Sequence, residues 1–560
     1  MSVAESPTGT QWWRHAVVYQ IYPRSFADGN GDGIGDLPGI TSRLHSLTEL
    51  GVDAIWLSPF YRSPQADAGY DVADYCDVDP LFGTLDDFDA MLARASELNL
   101  QVIVDLVPNH TSDEHPWFTA ALAAPAGSSE RGRYLFRDGV GPGGDLPPNN
   151  WMSVFGGPAW TRIADADGNP GQWYLHIFDV KQPDLDWTNP EVRQEFHRIL
   201  RFWLDRGVAG FRVDVAHGLV KADGLPDQLP GAERSVMALT TPAGDAMVHS
   251  GPATAMWDQD GVHEIYRGWR DILNSYGGDP MMVAEAWVSP LERMARYVRA
   301  DEMQQAFNFD YLATPLEAQA VRAVIDSSLA ATALVGAPTT WVLSNHDVVR
   351  HVSRFGLADV IEPHSGIGAD DEQPDFALGL RRARAATLLM LGLPGSAYLY
   401  QGEELGLPDH TALDDHLRQD PGWVRSGRTQ RGRDGCRVPI PWESGAPGLG
   451  FGPNSETWLP QPDSYAALAR DRQQGLAGST LELYRSALAT RRDHRLGLGQ
   501  LRWAAEMPSG VVAYTNGSVG VVANLGADPV GIPDGKVLVC SGELTADGRL
   551  PADTTVWIAH

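Results

Sequence analysis

Gly210-Phe211-Arg212-Val213-Asp214 decides how the rest of this chain is read. Its apolar residues predict a short strand. Successive side chains in a strand point to opposite faces, so Phe211 and Val213 share one face while Arg212 and Asp214 share the other. A guanidinium beside a carboxylate favours the ionised acid, and an ionised, positioned carboxylate is what a nucleophile requires. A structural Arg–Asp pair on a sheet rim fits the same five residues equally well. The flanking sequence decides between the two.

Upstream of this strand, 190–206 reads as a helix, with Pro190 at its start and Gly207 just past its end. Further out the alternation repeats. Apolar runs near 17, 54, 101, 210, 281, 306, 339 and 396 are separated by amphipathic stretches such as 40–50, 86–99, 262–276, 316–334 and 383–391. Near-continuous apolar strands interleaved with helices indicate a parallel sheet covered by helices. Eight such units favour a closed (β/α)8 TIM barrel over an open sheet. The pattern lapses over 111–186, which is rich in Gly, Pro, Asn and Trp and reads as an inserted small domain after the third strand. Residues 219–260 are a long polar excursion, and 410–475 are loop-like. A helix at 481–492 leads into short β-type segments at 511–514, 519–523, 537–540 and 555–559, a C-terminal antiparallel β-sandwich domain. The expected division is 1–110 with 187–478 for the barrel, 111–186 for the insertion and 479–560 for the C-terminal domain.

The 560 residues carry a net charge of −29, which excludes the basic surface that a nucleic-acid binder needs. Cys76, Cys436 and Cys540 are far apart and odd in number, so no disulfide framework or zinc site is indicated. The first ten residues are polar, and the apolar stretch 383–400 is broken by Arg384 and Pro394, so neither a signal peptide nor a membrane span is expected. These features together predict a cytoplasmic protein.

In a barrel, polar residues at the C-terminal ends of the strands converge on one site. Those ends carry His110, Arg212, Asp214, Glu285, His346 and Asp347. Three carboxylates from three strands would share one cup, and their repulsion would raise the pKa of one of them. Glu285, flanked by Ala284, Ala286 and Trp287, is expected to be the neutral acid, and Asp214, beside Arg212, the ionised group. One protonated and one ionised carboxylate is the equipment of glycosidic bond cleavage. Separately, Asp28-Gly29-Asn30-Gly31-Asp32-Gly33-Ile34-Gly35-Asp36 places oxygen side chains at alternate positions of a glycine-rich loop, which suits Ca2+ or Mg2+. The loop departs from an EF-hand, because Gly39 stands where the closing glutamate would be. An Asn/Asp/Gly-rich turn is the alternative.

The chain resembles the α-amylase superfamily of retaining glycoside hydrolases, in its α-glucosidase/oligo-1,6-glucosidase branch. The resemblance rests on Val18 to Phe26, the Asp28–Asp36 loop, Asp67-Ala68-Gly69-Tyr70-Asp71, Asp105 to His110, Gln182 to Leu185, Gly210 to Asp214, Ala284 to Trp287, Ser344 to Asp347 and Arg433 to Arg437, in that order. It implies that Asp214 is the nucleophile, Glu285 the acid/base and Asp347 the transition-state stabiliser. It implies a glucose pocket of Asp67, Tyr70, His110, Phe155, Arg212, His346 and Arg433. It also implies a structural Ca2+ or Mg2+ on Asp28, Asn30, Asp32, the Ile34 carbonyl and Asp36, with no organic cofactor. The insertion would be the family's domain B, which narrows the site to a pocket and favours exo-cleavage of short oligosaccharides by a monomer or homodimer.

Some positions depart from the family pattern. Asp186 ends the segment Gln182 to Asp186 where asparagine is usual, and Val438 to Trp442 reads Val-Pro-Ile-Pro-Trp. Val215 after the nucleophile leans toward α-1,6 linkages, whereas Val215-Ala216-His217-Gly218 looks like an actinobacterial subgroup associated with maltose-type α-1,4 substrates. Maltose and maltooligosaccharides are the favoured substrates on balance. Two alternatives remain at this stage: a transglucosidase or sucrose/maltose isomerase on the same scaffold, and a non-catalytic homologue. A substitution in the three carboxylates would have pointed to the last, and all three are present.

Overall fold

The computed structural model describes residues 11–165, 168–228, 255–505 and 508–559. The first ten residues of the polar lead-in and most of the 219–260 excursion lie outside them. Eight parallel strands form one sheet: β1 (Val17–Ile21), β2 (Ala54–Leu57), β3 (Gln101–Leu106), β4 (Gly210–Val213), β5 (Met281–Ala284), β6 (Gln305–Ala306), β7 (Thr340–Val342) and β8 (Ser396–Tyr400). They are ordered β6-β5-β4-β3-β2-β1-β8-β7. A parallel bridge between Phe307 and Thr340 joins the two ends and closes the barrel. All eight apolar runs of the sequence are therefore barrel strands.

The barrel interior is packed rather than open. Val18, Ala54, Trp56, Ile103, Met281, Val283, Phe307, Val342 and Tyr398 form one buried apolar cluster. These are alternate residues of their strands, so their neighbours on the same strands face the surrounding helices. The inward set turns polar toward the C-terminal ends: Gln20, Asp105 and Arg212 are at most 2% exposed. Strand β4 begins with glycine for a steric reason. Gly210 has φ +153°, and a Cβ there would lie 2.1 Å from the Met281 carbonyl oxygen of the paired strand β5. Only glycine allows β4 and β5 to pair at the register that sets Arg212 opposite Val283.

Helices α1 (Leu37–Leu50), α2 (Leu85–Glu97), α3 (Pro190–Arg206), α4 (Val262–Asn274), α5 (Ala318–Ala333) and α6 (Phe376–Leu391) surround the barrel, and α7 (Thr480–Asp493) leads to the C-terminal unit. Their ends follow local capping chemistry. Thr84 and Asp87 make a reciprocal capping box at α2, and Asn189 caps α3, which stops at Gly207 in a left-handed conformation. Helix α6 starts seven residues earlier than its apolar period suggests. Its first turns carry arginines and an exposed Phe376, and Asp375 caps it by accepting from the Leu378 N–H.

Within the 111–186 stretch lie a helix, Pro116–Ala123, and a three-stranded antiparallel sheet of Phe136–Arg137, Trp160–Ala164 and Pro170–Leu175. Its short, interrupted strands gave no readable period. The C-terminal residues form a five-stranded antiparallel sheet that includes Leu501–Trp503, too short to stand out in the sequence. One face packs on α6, where Tyr514 and Trp557 donate to the Leu389 and Leu388 carbonyls. The other face buries Val511, Val522, Val556 and Ile558 with Leu550, which bridges to Val530. Among the described residues no helix is long and apolar enough to cross a membrane.

Candidate active site

Two guanidinium groups organise the C-terminal mouth of the barrel. The first is Arg212, 2% exposed, on β4. Its Nη1 donates to Asp105 Oδ1 at 3.0 Å and to Asp214 Oδ1 at 2.5 Å, and its Nη2 meets Glu285 Oε2 at 2.8 Å. Its flat face lies over Trp56, 5.0 Å from the ring centre. Strand pairing explains the convergence. Asp105 is the register partner of Arg212 across β3 and β4, Asp214 lies one turn of the pleat further on, and Glu285 follows the end of β5.

The second is Arg433, from the long segment after β8. Its Nε donates to Asp420 Oδ2 at 2.6 Å, Nη1 to Asp347 Oδ1 at 3.0 Å and Nη2 to Asp67 Oδ1 at 2.8 Å. Arg437 Nη2 adds a 2.9 Å bond to Asp347 Oδ1. Each hub thus holds three carboxylates. Between them lies a cavity lined by Asp67, Tyr70, His110, Phe155, Asp214, Glu285, Asp347 and Arg433 together with Val215, His217, Phe178, Trp257 and Trp287.

Of the ten residues expected at the catalytic and sugar-binding positions, eight line this cavity. Arg212 and His346 do not; they stand behind its wall. His346 Nδ1 accepts from Gln20 Nε2 at 2.7 Å, so its proton sits on Nε2, 2.6 Å from the Tyr70 hydroxyl. Tyr70 in turn donates to Asp105 Oδ2 at 3.1 Å. His110 follows the same logic: Asn109 Nδ2 donates to its Nδ1, and its Nε2 donates to the Tyr70 carbonyl at 3.1 Å. Burial keeps both imidazoles neutral, pushing His110 down to about 4 and His346 further.

The carboxylates of the site differ in charge state. Asp347 is held well below the usual carboxylate range: burial would raise it, but the neutral His346 points its Nε2–H at Asp347 Oδ2 from 3.2 Å and the Arg433 and Arg437 guanidiniums outweigh the rest. Asp214 and Glu285 hydrogen-bond to each other and share one proton. Burial lifts Asp214 well above its ordinary value, against the pull of Arg212. Glu285 is held low despite burial, because Arg212 and the Val215 N–H, at 3.0 Å, stabilise its anion. Trp287 Nε1 adds a third donor at 3.2 Å. Their hydrogen bond holds one proton between them, whereas the neighbours of each residue in the sequence suggested a neutral Glu285 and an ionised Asp214. Arg212 alone does not fix Asp214 as the anion, because it is divided among three carboxylates. Asp105, the third, is pushed up to about 7 by burial.

Val215, the residue after Asp214, has φ +45°. A β-branched residue in that region is strained. The turn that results aims the Val215 N–H at Glu285 and exposes the Val215 side chain to the cavity.

Several contributors were given no role from the sequence. Gln20, Asp105 and Arg437 lie in the quoted segments, but act through partners 90 or more residues away, His346, Arg212 and Asp347, and Asp420 acts through Arg433. Lys221 is another. Its ammonium is buried and meets Asp184 Oδ2 at 2.9 Å, Asn109 Oδ1 at 2.8 Å and the Gly218 carbonyl. It thereby ties the 111–186 insertion to the strand ends that carry His110 and Asp214.

The Asp28–Asp36 loop lies outside the cavity, against 451–458, where Asn454 Nδ2 donates to the Gly31 carbonyl and the Trp458 N–H to the Gly33 carbonyl. Asp28 accepts the N–H groups of Asn30, Gly31 and Gly33, Asn30 Oδ1 accepts from the Asp32 N–H, and Asp32 Oδ1 from the Ile34 N–H. Asp36 caps α1 through the Gly39 N–H. Burial raises Asp36, with further repulsion from Asp28 and Asp32, a strain that a cation would relieve. The carboxylates are not preassembled: among the described residues no three His, Cys, Asp or Glu side chains converge as a metal cluster.

Known proteins bear on this geometry. Residues 20–498 match the family described as alpha amylase, catalytic domain. A probable alpha-glucosidase of Rhizobium meliloti is 40% identical over 493 residues, covering 86% of this chain and 82% of its own. The oligo-1,6-glucosidase of Parageobacillus thermoglucosidasius is 35% identical over 519 residues, covering 86% and 84%. The crystal structure of XgtA, an alpha-glucosyl transfer enzyme, superposes with a TM-score of 0.82 at 36% identity and covers 98% of this chain and 99% of its own.

Replacing Lys221 by methionine leaves Asp184 as a buried, unpaired carboxylate. The expected loss is about 3–5 kcal/mol, read as a lower thermal midpoint. Adding Asp184→Asn should recover most of it; a double variant as unstable as the single one would show that the pair is not what Lys221 supports.

Proposed function

Because the chain belongs to the α-amylase family and is a glycoside hydrolase, we propose that it is a retaining, exo-acting α-glucosidase. Its substrates are short α-glucosides, maltose and maltooligosaccharides foremost, and it releases glucose from their non-reducing ends. The observation that carries this reading is the contact between Asp214 and Glu285 beneath the cavity. Carboxyl groups that touch leave no room for the water that an inverting enzyme places between them, at a separation of about 6.5–9.5 Å.

Asp214 attacks the anomeric carbon while Glu285 gives its proton to the departing glycosidic oxygen, forming a β-glucosyl ester. Glu285, now a carboxylate, takes a proton from water; the water oxygen bonds to the anomeric carbon, the ester bond breaks, and Asp214 returns as a carboxylate. Each cycle begins with the shared proton drawn to Glu285 along their hydrogen bond, which leaves Asp214 the carboxylate. Asp347, held ionised by Arg433 and Arg437, binds ring hydroxyls and stabilises the positive charge of the oxocarbenium-like transition state. Tyr70 and His110 complete the wall around the glucose, with His346 and Arg212 behind it.

The Asp67–Arg433–Asp347 bonds knit one wall together, which supports exo-cleavage. The cation lining the cavity among the described residues is Arg433, already committed to three carboxylates. That balance favours neutral sugars over phosphorylated ones. A second reading, glucosyl transfer to a sugar acceptor, draws support from the likeness to XgtA. It uses the same ester and replaces water by a hydroxyl.

We further propose Ca2+ or Mg2+ on Asp28, Asn30, Asp32, the Ile34 carbonyl and Asp36, where it would brace the loop against 451–458 and take no part in the chemistry. Calorimetric titration of dialysed protein should show one site, with a higher thermal midpoint on binding. Absence of both effects for Ca2+ and Mg2+ discards the site.

A panel of maltose, isomaltose, trehalose, sucrose and nitrophenyl-α-glucoside separates the readings. Glucose alone from maltose is expected, with kcat lowered at least about a thousandfold in Asp214→Asn. New disaccharides as the main product would favour transfer, and full activity of the variant would end the proposed mechanism.

A further inference from the structure

His217 is 3% exposed, lines the cavity, and among the described residues neither ring nitrogen has a well-formed hydrogen bond, only a loose approach to the Glu285 carbonyl. Trp257, which is 4% exposed and also lines the cavity, has no hydrogen-bond partner for its Nε1 among the described residues. The two rings stack, with centroids 5.0 Å apart and planes 23° apart. Leaving buried polar groups unpaired costs about 1–3 kcal/mol each. The sugar-facing groups at the other end of the cavity, Tyr70, His110, Asp67 and Arg433, are all satisfied within the protein. Among the described residues that line the cavity, the stacked pair is therefore the unfilled polar surface.

Its position indicates what fills it. His217 lies on the Glu285 side. The Ala216 N–H donates to the Glu285 carbonyl at 2.9 Å, that carbonyl is also near the imidazole, and the Val215 N–H donates to the Glu285 carboxylate. Hydrogen bonds from Gly218 to Val215 and from Asp258 to His217 hold the turn in place. A general acid must face the oxygen of the leaving group, so groups beside Glu285 meet the leaving group rather than the glucose that Asp214 attacks. Burial keeps the ring neutral, down to about 4, with one donor and one acceptor nitrogen. A sugar hydroxyl offers the complementary pair.

We propose that His217, with Trp257 Nε1 beside it, binds the hydroxyls of the second sugar, the one released as leaving group or admitted as acceptor. The assignment rests on the α-glucosidase reading and makes His217 a specificity residue for the non-glucosyl side of the bond.

The test compares His217→Ala and His217→Gln in the full chain, on the disaccharide that the wild-type protein cleaves best and on nitrophenyl-α-glucoside, whose aglycone carries no sugar hydroxyls. Loss of one such hydrogen bond should lower kcat/KM on the disaccharide about tenfold in His217→Ala. The loss on the nitrophenyl substrate should be several-fold smaller, and His217→Gln, which keeps a donor and an acceptor, should fall between. Should His217→Ala fail to fold, His217→Gln must still lose more on the disaccharide than on the nitrophenyl substrate. Equal losses on both substrates, or none on the disaccharide, overturn the assignment while leaving the glucosidase reading intact. A wild-type protein that cleaves no α-glucoside would instead remove that reading and this assignment with it.

Discussion

The site depends on one electrostatic constraint: a single guanidinium, Arg212, is divided among Asp105, Asp214 and Glu285. One positive charge cannot hold three buried carboxylates ionised. Burial is expensive for any charge that is not compensated, so a proton stays in the cluster and settles on the Asp214–Glu285 pair. Arg433 faces the same ratio, with Asp67, Asp347 and Asp420, but Arg437 supplies a second guanidinium and Asp347 stays ionised. The difference between the two hubs separates a proton-carrying pair from a permanently charged group, within one cavity and with one type of side chain.

The barrel makes this arrangement affordable in structural terms. Six strand ends and two long loops converge on a rim whose floor is the apolar cluster around Trp56 and Phe307. Gly210 lets β4 press against β5, and so brings Asp214 to Glu285. The neutral histidines, buried and fixed in one tautomer by Gln20 and Asn109, add hydrogen bonds without adding charge. Lys221 does for the 111–186 insertion what the arginines do for the catalytic cluster, as a buried cation shared by a carboxylate and two neutral oxygens.

Much of this was legible in the sequence, because strand period and residue order carry it. The eight apolar runs marked the strands, and the polar residues at the ends of four of them, among them His110, Asp214, Glu285 and Asp347, marked the site. What was not legible depends on sharing. Gly210 to Asp214 shows one arginine beside one aspartate, which argues for an ionised Asp214. Only the fold reveals Asp105, 107 residues before Arg212, and Glu285, 73 residues after it, competing for the same guanidinium, so that one proton is shared by the pair. Asp420 and Lys221 were silent because their roles exist only in the folded contacts, Asp420 with Arg433 in an aperiodic loop and Lys221 with Asp184 and Asn109. His217 stood in the sequence as part of a subgroup likeness; its unpaired nitrogens are a property of the folded cavity.

Neutron diffraction from deuterium-exchanged crystals of the unliganded protein at neutral pH locates the shared proton directly. The account predicts one deuteron between Asp214 and Glu285, on the line joining their oxygens, and none on Asp347. Density showing Asp214 and Glu285 both bare, or a deuteron on Asp347, would contradict it.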